Sequence, residues 1–271
     1  MLHVMIMDTP MIMDTPAPAL GPLLREGKAK RLYATADSRH CAVEFKDMAT
    51  ASNGRHQVQV PGKGKLNCQI SAQLFTLLEQ VGLPTHFQGL LADGWMLVRP
   101  LCMIPLEVVL RNRAAGSLLR QLPTVAGQQL EPPLLDLYFK DDALGDPFLS
   151  EARLATLNIV TPQQRIQLET MARQVNSALH QAFGKLDLDL VDIKLEFGWD
   201  TSGQLRLADE LSPDNCRLWD QRQSPDSPGR SLDKDRFRQG LGGLVDAYKE
   251  VNQRIQSLGL KPQHDFSSRR L

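Results

Sequence analysis

Residues 190–210 read LVDIKLEFGWDTSGQLRLADE. Val191, Ile193, Leu195 and Phe197 alternate with Asp192, Lys194 and Glu196, the period of two that a β-strand imposes because successive side chains point to opposite faces. The alternation predicts one buried apolar face and a second face on which the three charged side chains stand together. Asp200-Thr201-Ser202-Gly203 is turn chemistry. Residues 205–208 predict a return strand that ends at Asp209-Glu210. Such a hairpin gathers three or four acids. Two carboxylates about 4 Å apart repel by roughly 4 kcal/mol at an effective dielectric of 20, so the cluster wants a cation or a shared proton. Magnesium, which takes few protein carboxylates and completes its shell with phosphate and water, is the natural cation. The alternative is a solvated strand face on which Lys194 neutralises its neighbours.

Downstream, residues 233–258 predict a helix with Phe237, Leu241, Leu244, Tyr248 and Val251 on one face, and Asp233 and Asp235 at its positive end. Upstream, Thr161-Pro162-Gln163-Gln164 is a helix start with a hydroxyl cap and proline at the first helical position, predicting a helix to about Phe183 that stops at Gly184. Residues 122–147, rich in proline, glycine and acids, predict a long irregular segment for substrate handling. The runs 96–98 and 106–110 predict two strands separated by Pro100 and Pro105, and that connector is the expected domain boundary. Leu66, Ile70, Leu74, Leu77 and Leu78 predict a helix over 66–81 ended by Gly82. Residues 58–61 predict a short strand, and 30–34 with 41–45 predict a hairpin turned at Asp37-Ser38-Arg39. Hairpins and helices without regular strand–helix alternation place the chain in the α+β class and not among doubly wound sheets.

The 271 residues allow one or two domains, and 42% hydrophobic with 23% charged residues is the composition of a folded enzyme. Lys+Arg and Asp+Glu each total 31, so no global field draws nucleic acid or an anionic membrane, and any anion site is local. No apolar stretch approaches the roughly 20 residues that cross a bilayer. Cys41, Cys68, Cys102 and Cys216 lie far apart without zinc-ligand spacing and read as reduced thiols of a cytoplasmic protein. At the N-terminus MIMDTP occurs at 5–10 and again at 11–16. With no basic n-region, residues 1–20 read as a disordered tail and not as a signal peptide.

Gly27-Lys28-Ala29-Lys30 and Gly62-Lys63-Gly64-Lys65 set lysines beside flexible backbone that could hold phosphates. Neither is a Walker loop, since Gln59 and Leu66 stand where that pattern needs Gly and Ser or Thr; the bland alternative is a basic turn. Arg111-Asn112-Arg113-Ala114-Ala115-Gly116-Ser117 joins a strand to an amphipathic run. It reads as a phosphate cup of backbone N–H groups and a guanidinium fork, or else as a helix cap with surface arginines. Arg217, after the acids, adds to the anion-binding reading.

Eight stretches follow one another in a recognisable order: REGKAKRLY at 25–33, EFKDMATASNG at 44–54, PGKGKLN at 61–67, PLEVVLRNRAAGSLLR at 105–120, FKDDALGDP at 139–147, LVDIKLEFG at 190–198, LADELSPDNCRLWD at 207–220 and LDKDRFRQGLGG at 232–243. In these the chain resembles the phosphoribosylaminoimidazole-succinocarboxamide synthase (SAICAR synthetase) family, from about Arg25 to Ile255. The resemblance implies a two-lobed α+β fold, with a kinase-like ATP lobe at 21–102 and a larger substrate- and metal-binding domain at 103–271. It implies an ATP-dependent ligase that joins L-aspartate to the carboxylate of carboxyaminoimidazole ribonucleotide (CAIR) through an acyl phosphate, giving ADP and phosphate. By resemblance Lys28 and Lys30 approach the ATP phosphates, the backbone near Met103 holds adenine, and Glu196 and Asp209 bind Mg2+. Asp192 and Lys194 face the reacting groups, Arg111, Ser117 and Arg217 hold the ribonucleotide phosphate, and Lys63, Lys140 and Asp142 are further substrate contacts. The family alone suggests a homodimer. The chain departs at Met48 and Ser52, where many members read Asp and Phe. A small-molecule kinase sharing the ATP lobe is the alternative, disfavoured because no H-R-D loop or D-F-G triplet is present. A non-enzymatic relative is expected to lack members of the acid cluster, all of which are here.

Overall fold

The structure, a computed structural model, describes residues 19–51 and 56–260. The duplicated MIMDTP segment and Ser52 lie outside the described residues. Five antiparallel strands form a first sheet: β1 (Leu20–Glu26), β2 (Lys30–Thr35), β3 (Cys41–Phe45), β6 (Phe87–Ala92) and β7 (Trp95–Val98), in the order β1-β2-β3-β7-β6. The expected 30–45 hairpin is β2–β3. Strand β1, unforeseen, begins inside the expected tail; Pro22 is tolerated there because β1 is an edge strand with register shifts between Leu20 and Arg25. A small hairpin, β4 (Met48–Ala51) with β5 (His56–Gln59), leads into helix α1 (Lys63–Gln80). Ile70, Leu74, Phe75 and Leu78 of α1 are buried, with Gly82 at φ 81 just beyond the helix. At roughly 1.5–3 kcal/mol for each large apolar side chain fully removed from water, such a stripe holds helix to sheet.

The second sheet is built on one long strand, β11 (Leu188–Trp199). It pairs with β9 (Leu106–Arg113), β12 (Leu205–Ala208), β13 (Cys216–Asp220) and the two-residue β8 (Cys102–Met103), while β10 (Gln129–Phe139) extends the sheet beyond β9. Helix α3 (Pro162–Gly184) packs on β11, and its Leu168, Ala172, Val175 and Leu179 are buried. It opens with the expected capping box, Thr161 Oγ1 accepting from the Gln164 N–H and the Gln164 side chain returning to the Thr161 N–H. A short helix, α2 (Glu151–Leu157), precedes it.

Two expectations are corrected and one alternative is set aside. The segment 122–147 is not irregular throughout, because eleven of its residues form β10. Pro132 and Pro133 fall within the Gln129 to Leu134 register shift, where ladder bonds are interrupted, and Leu134 to Phe139 then pair regularly with β9. The 233–258 helix is two helices, α4 (Asp235–Arg238) and α5 (Leu244–Gln256), separated where Gly240, Gly242 and Gly243 take φ of 67, 69 and 61. Only α5 carries the buried stripe, Leu244, Tyr248, Val251 and Ile255. The charged face of β11 is not solvated: Asp192 and Glu196 are 5% and 3% exposed. Neighbouring strands flank β11 on both sides, and side chains from other elements close over that face.

Candidate active site

Register on β11 fixes two charged clusters. Asp192 is paired with Arg111 of β9 on one side and Arg217 of β13 on the other. Arg217 Nη1 donates to Asp192 Oδ2 at 2.6 Å, and Arg111 Nη1 lies 3.5 Å from the same oxygen. Each guanidinium is fixed from a second direction: Arg111 by Asp136 at 3.0 Å and the Tyr138 hydroxyl at 3.2 Å, Arg217 by Asp235 at 2.7 Å. Ser117 Oγ stands 3.5 Å from Arg111 Nη2. The amphipathic run after Ala115 is a single 3-10 turn, Gly116–Arg120. Gly116 sits at φ 58, and a Cβ there would lie 2.5 Å from Arg217 Nη2, so only glycine lets the turn approach the guanidinium. Burial works against the charge on Arg217, but Asp192 and Asp235 outweigh it and raise its pKa. An open cleft of about 410 Å3 is lined by Gly116, Arg217, Asp235 and Trp219, with Arg230 stacked 3.9 Å over the Trp219 ring. Gly116 and Arg217 therefore border the cleft, while Arg111, buried, and Ser117 of the predicted cup stand beside them without lining it.

Four residues along the same face, Glu196 is paired in register with Ala208, and Asp209 follows at φ 63. Lysines close this cluster. Lys140, just after β10, bonds Glu196, while Lys194 donates to Glu196 at 3.0 Å and Glu107 at 2.7 Å. Lys30 reaches across from β2 to Asp209 at 2.6 Å and Glu210 at 2.9 Å. Burial alone would lower the Lys30 pKa, yet Asp209 and Glu210 hold it well above the ordinary lysine value; Glu196, Asp209 and Glu107 do the same for Lys194. Burial likewise opposes ionisation of Asp209, and Lys30, Lys194 and Lys140 overcome it and lower its pKa. His86 is buried, its backbone N–H donating to the Leu207 carbonyl at 2.8 Å. Burial holds its pKa down at about 4, so the ring is neutral at pH 7, and its Nε2 is buried without a partner.

Among the described residues no group of three or more His, Cys, Asp or Glu is placed to hold a metal. The donor set of Glu196 and Asp209 still fits magnesium, whose sites commonly use one or two carboxylates plus phosphate and water. These two acids offer hard oxygens now balanced only by lysines.

The remaining predicted residues are placed differently from one another. Met103 is exposed on β8 and pairs with Gly198 of β11. Lys28 and Asp142 form an exposed ion pair at 2.6 Å, which contributes little to stability. Lys63 is 1% exposed and donates to Asp214 at 2.5 Å, whose other oxygen accepts from the Tyr248 hydroxyl at 2.6 Å; it holds α1 against α5 and faces no open space. Glu107, Asp136, Tyr138, Asp235 and His86 were missed. Glu107 and Asp235 lie inside the quoted stretches PLEVVLRNR and LDKDRFRQ, but only the register of β9 against β11 and the break before α5 reveal their partners.

A family model described as SAICAR synthetase matches residues 23–255. The phosphoribosylaminoimidazole-succinocarboxamide synthase of Prochlorococcus marinus (strain MIT 9303) is 57% identical over 242 residues, 89% of this chain and 99% of the relative. That of Synechococcus sp. (strain CC9605) is 56% identical over 88% of this chain and 95% of the relative. Among solved structures, the Ehrlichia chaffeensis synthase superposes with a TM-score of 0.82 at 37% identity, covering 87% of this chain and 98% of that one. A SAICAR synthetase in complex with ADP superposes at 0.81 and 43% identity, covering 89% and 99%. The chain belongs to the SAICAR synthetase family.

Proposed function

We propose that the protein is the ATP-dependent ligase that condenses CAIR with L-aspartate to form SAICAR, ADP and phosphate in purine biosynthesis. What carries the reading is the placement of two unlike clusters on one face of β11, arginines at Asp192 and lysine-balanced carboxylates at Glu196, in a chain matched to the family over 23–255. A carboxylate resists an amine because its charge repels the nucleophile and oxide is a poor leaving group. Transfer of the ATP γ-phosphoryl group to a carboxylate oxygen of CAIR releases ADP and leaves an acyl phosphate. The aspartate amine then adds to the acyl carbon, loses a proton, and phosphate departs with its C–O electron pair.

In this reading Arg111, Ser117 and Arg217 hold the ribonucleotide phosphate, the guanidinium forks matching its oxygens. Asp192 sets the spacing of the two forks. Lys194, whose raised pKa keeps it charged, neutralises the reacting carboxylate and does not act as a base. Lys28 and Lys30 meet the ATP phosphates, Lys140 and Asp142 border the reacting groups, and the β8 backbone at Met103 takes adenine. Lys63 supports this region from its buried pair with Asp214. Glu196 and Asp209 would hold Mg2+, which when bound offsets charge on the transferring phosphoryl group. We further assign residues 21–102 to an ATP lobe and 103–271 to a substrate domain, and place the enzyme in the cytoplasm. In support, the two sheets divide near residue 100, all four cysteines are free, and no helix among the described residues is long and apolar enough to cross a membrane.

The test is ADP release with each reactant omitted in turn. Full turnover is expected only with CAIR, L-aspartate and ATP together; brisk ATP use on a hydroxyl acceptor would instead establish the kinase reading.

A further inference from the structure

A second open cleft, about 440 Å3, is lined by none of the residues of the two charged clusters. Its walls are Glu79 near the end of α1, Pro84, Gln88 on β6, Arg99 just after β7, and Gln204 and Arg206 from the β11–β12 hairpin. Arg99 is anchored through its backbone, its N–H donating to the His86 carbonyl at 2.7 Å. Its guanidinium has no hydrogen-bond or ion-pair partner among the described residues, and its Nε is buried. An arginine carries its charge at any physiological pH, and a buried charged donor without an acceptor is costly. The Arg99 side chain lines the cleft and offers its donors to whatever enters it.

The neighbouring groups favour an anion. Arg206 is held in one orientation, Nε to Asp200 at 2.6 Å, Nη1 to the Thr85 carbonyl at 3.2 Å and Nη2 to Gln204 Oε1 at 2.7 Å. That last bond leaves the Gln204 amide NH2 as a donor. Glu79, the only acid among the described residues that line the cleft, accepts from the Thr85 hydroxyl at 2.5 Å. We propose that this cleft binds a small oxyanion, a phosphate or carboxylate group, on the Arg99 fork with Arg206 and Gln204 at its edge. The inference does not depend on the ligase reading, since it uses no residue of that site.

The test is an NMR titration of the full chain labelled with 15N-arginine, following the Arg99 Nε–Hε signal, identified by its loss in Arg99→Lys or Arg99→Gln. Inorganic phosphate and succinate are added in separate arms, with sodium chloride at matched ionic strength as control. A saturable shift is expected in at least one arm, unchanged in Arg217→Gln, which removes an arginine of the other site; the arm with the tighter response identifies phosphate or carboxylate as the group. Glu79→Gln should tighten that response several-fold by removing a like charge. No shift beyond the chloride control, a shift abolished by Arg217→Gln, or an affinity indifferent to Glu79→Gln would each overturn the proposal.

Discussion

The two ends of the charged face of β11 solve different problems with different cations. At Asp192 the cations are arginines, each held by acids from two directions, so their forks are set before any ligand arrives. At Glu196 they are lysines on separate elements, β2, the segment after β10 and β11 itself, converging as point charges on buried carboxylates. A planar fork suits a phosphate whose position must not change, whereas a flexible ammonium can exchange its carboxylate for a metal or a passing phosphoryl group. Four residues of β-strand, about 13 Å at roughly 3.3 Å per residue, separate the arginine cluster from the lysine cluster, which in the proposed reading are a fixed anchor and an exchangeable one.

The contrast can be broken most severely at Glu196. Glu196→Gln keeps the shape but removes the charge and is expected to lower turnover about a thousandfold. Its stability cost, about 1–3 kcal/mol for disturbing a buried bonded acid, is modest by comparison. Near-normal kcat in steady-state assays would remove Glu196 from the chemistry.

Arg217→Lys tests the other end. Charge is retained but the fork is lost, and KM for the ribonucleotide should rise about thirtyfold with kcat nearly unchanged. A loss confined to kcat would mean the arginines act on the reacting groups and not as an anchor. Two residues beyond Glu196 on β11, and smaller in effect, is Gly198→Ala. A Cβ there would lie 2.9 Å from the Cys102 carbonyl oxygen, displacing β8, and KM for ATP should rise about tenfold with the ribonucleotide KM unaffected.

A separate prediction concerns stability. His86 has a folded-state pKa of about 4 against an ordinary 6.5. Below about pH 6.5 the unfolded chain takes up a proton that the folded chain refuses, so stability falls as the pH is lowered towards 4, by at most about 3 kcal/mol. Denaturant unfolding of His86→Gln should show a shallower loss across that window; an identical slope would place the acid sensitivity elsewhere.

Much of this was legible in the residues. The alternation at 191–197, the turn at 200–203 and the capping box at Thr161 are local rules, and each formed as written. Local reading failed where the deciding contact is distant. Pro132-Pro133 suggested a loop, but pairing of β10 with β9 overrides them. The apolar spacing from Phe237 to Leu244 suggested one helix, but three glycines with positive φ divide it. The charged face of β11 looked solvated or metal-bound with equal justice, because nothing near it in sequence announces that Lys30, 179 residues from Asp209, closes over it. Lys63 reads as a phosphate ligand in its Gly-Lys turn until α5 brings Tyr248 and the 211–215 turn brings Asp214 to bury it.

The central claim is that the terminal phosphoryl group of ATP is transferred to the ribonucleotide carboxylate before the amide forms. CAIR carrying 18O in both carboxylate oxygens tests it directly when the released phosphate is analysed by mass spectrometry after one round of synthesis. One 18O atom should appear in each phosphate, matched by one retained in each amide. Phosphate free of label, formed at the same rate as the amide, would contradict the account.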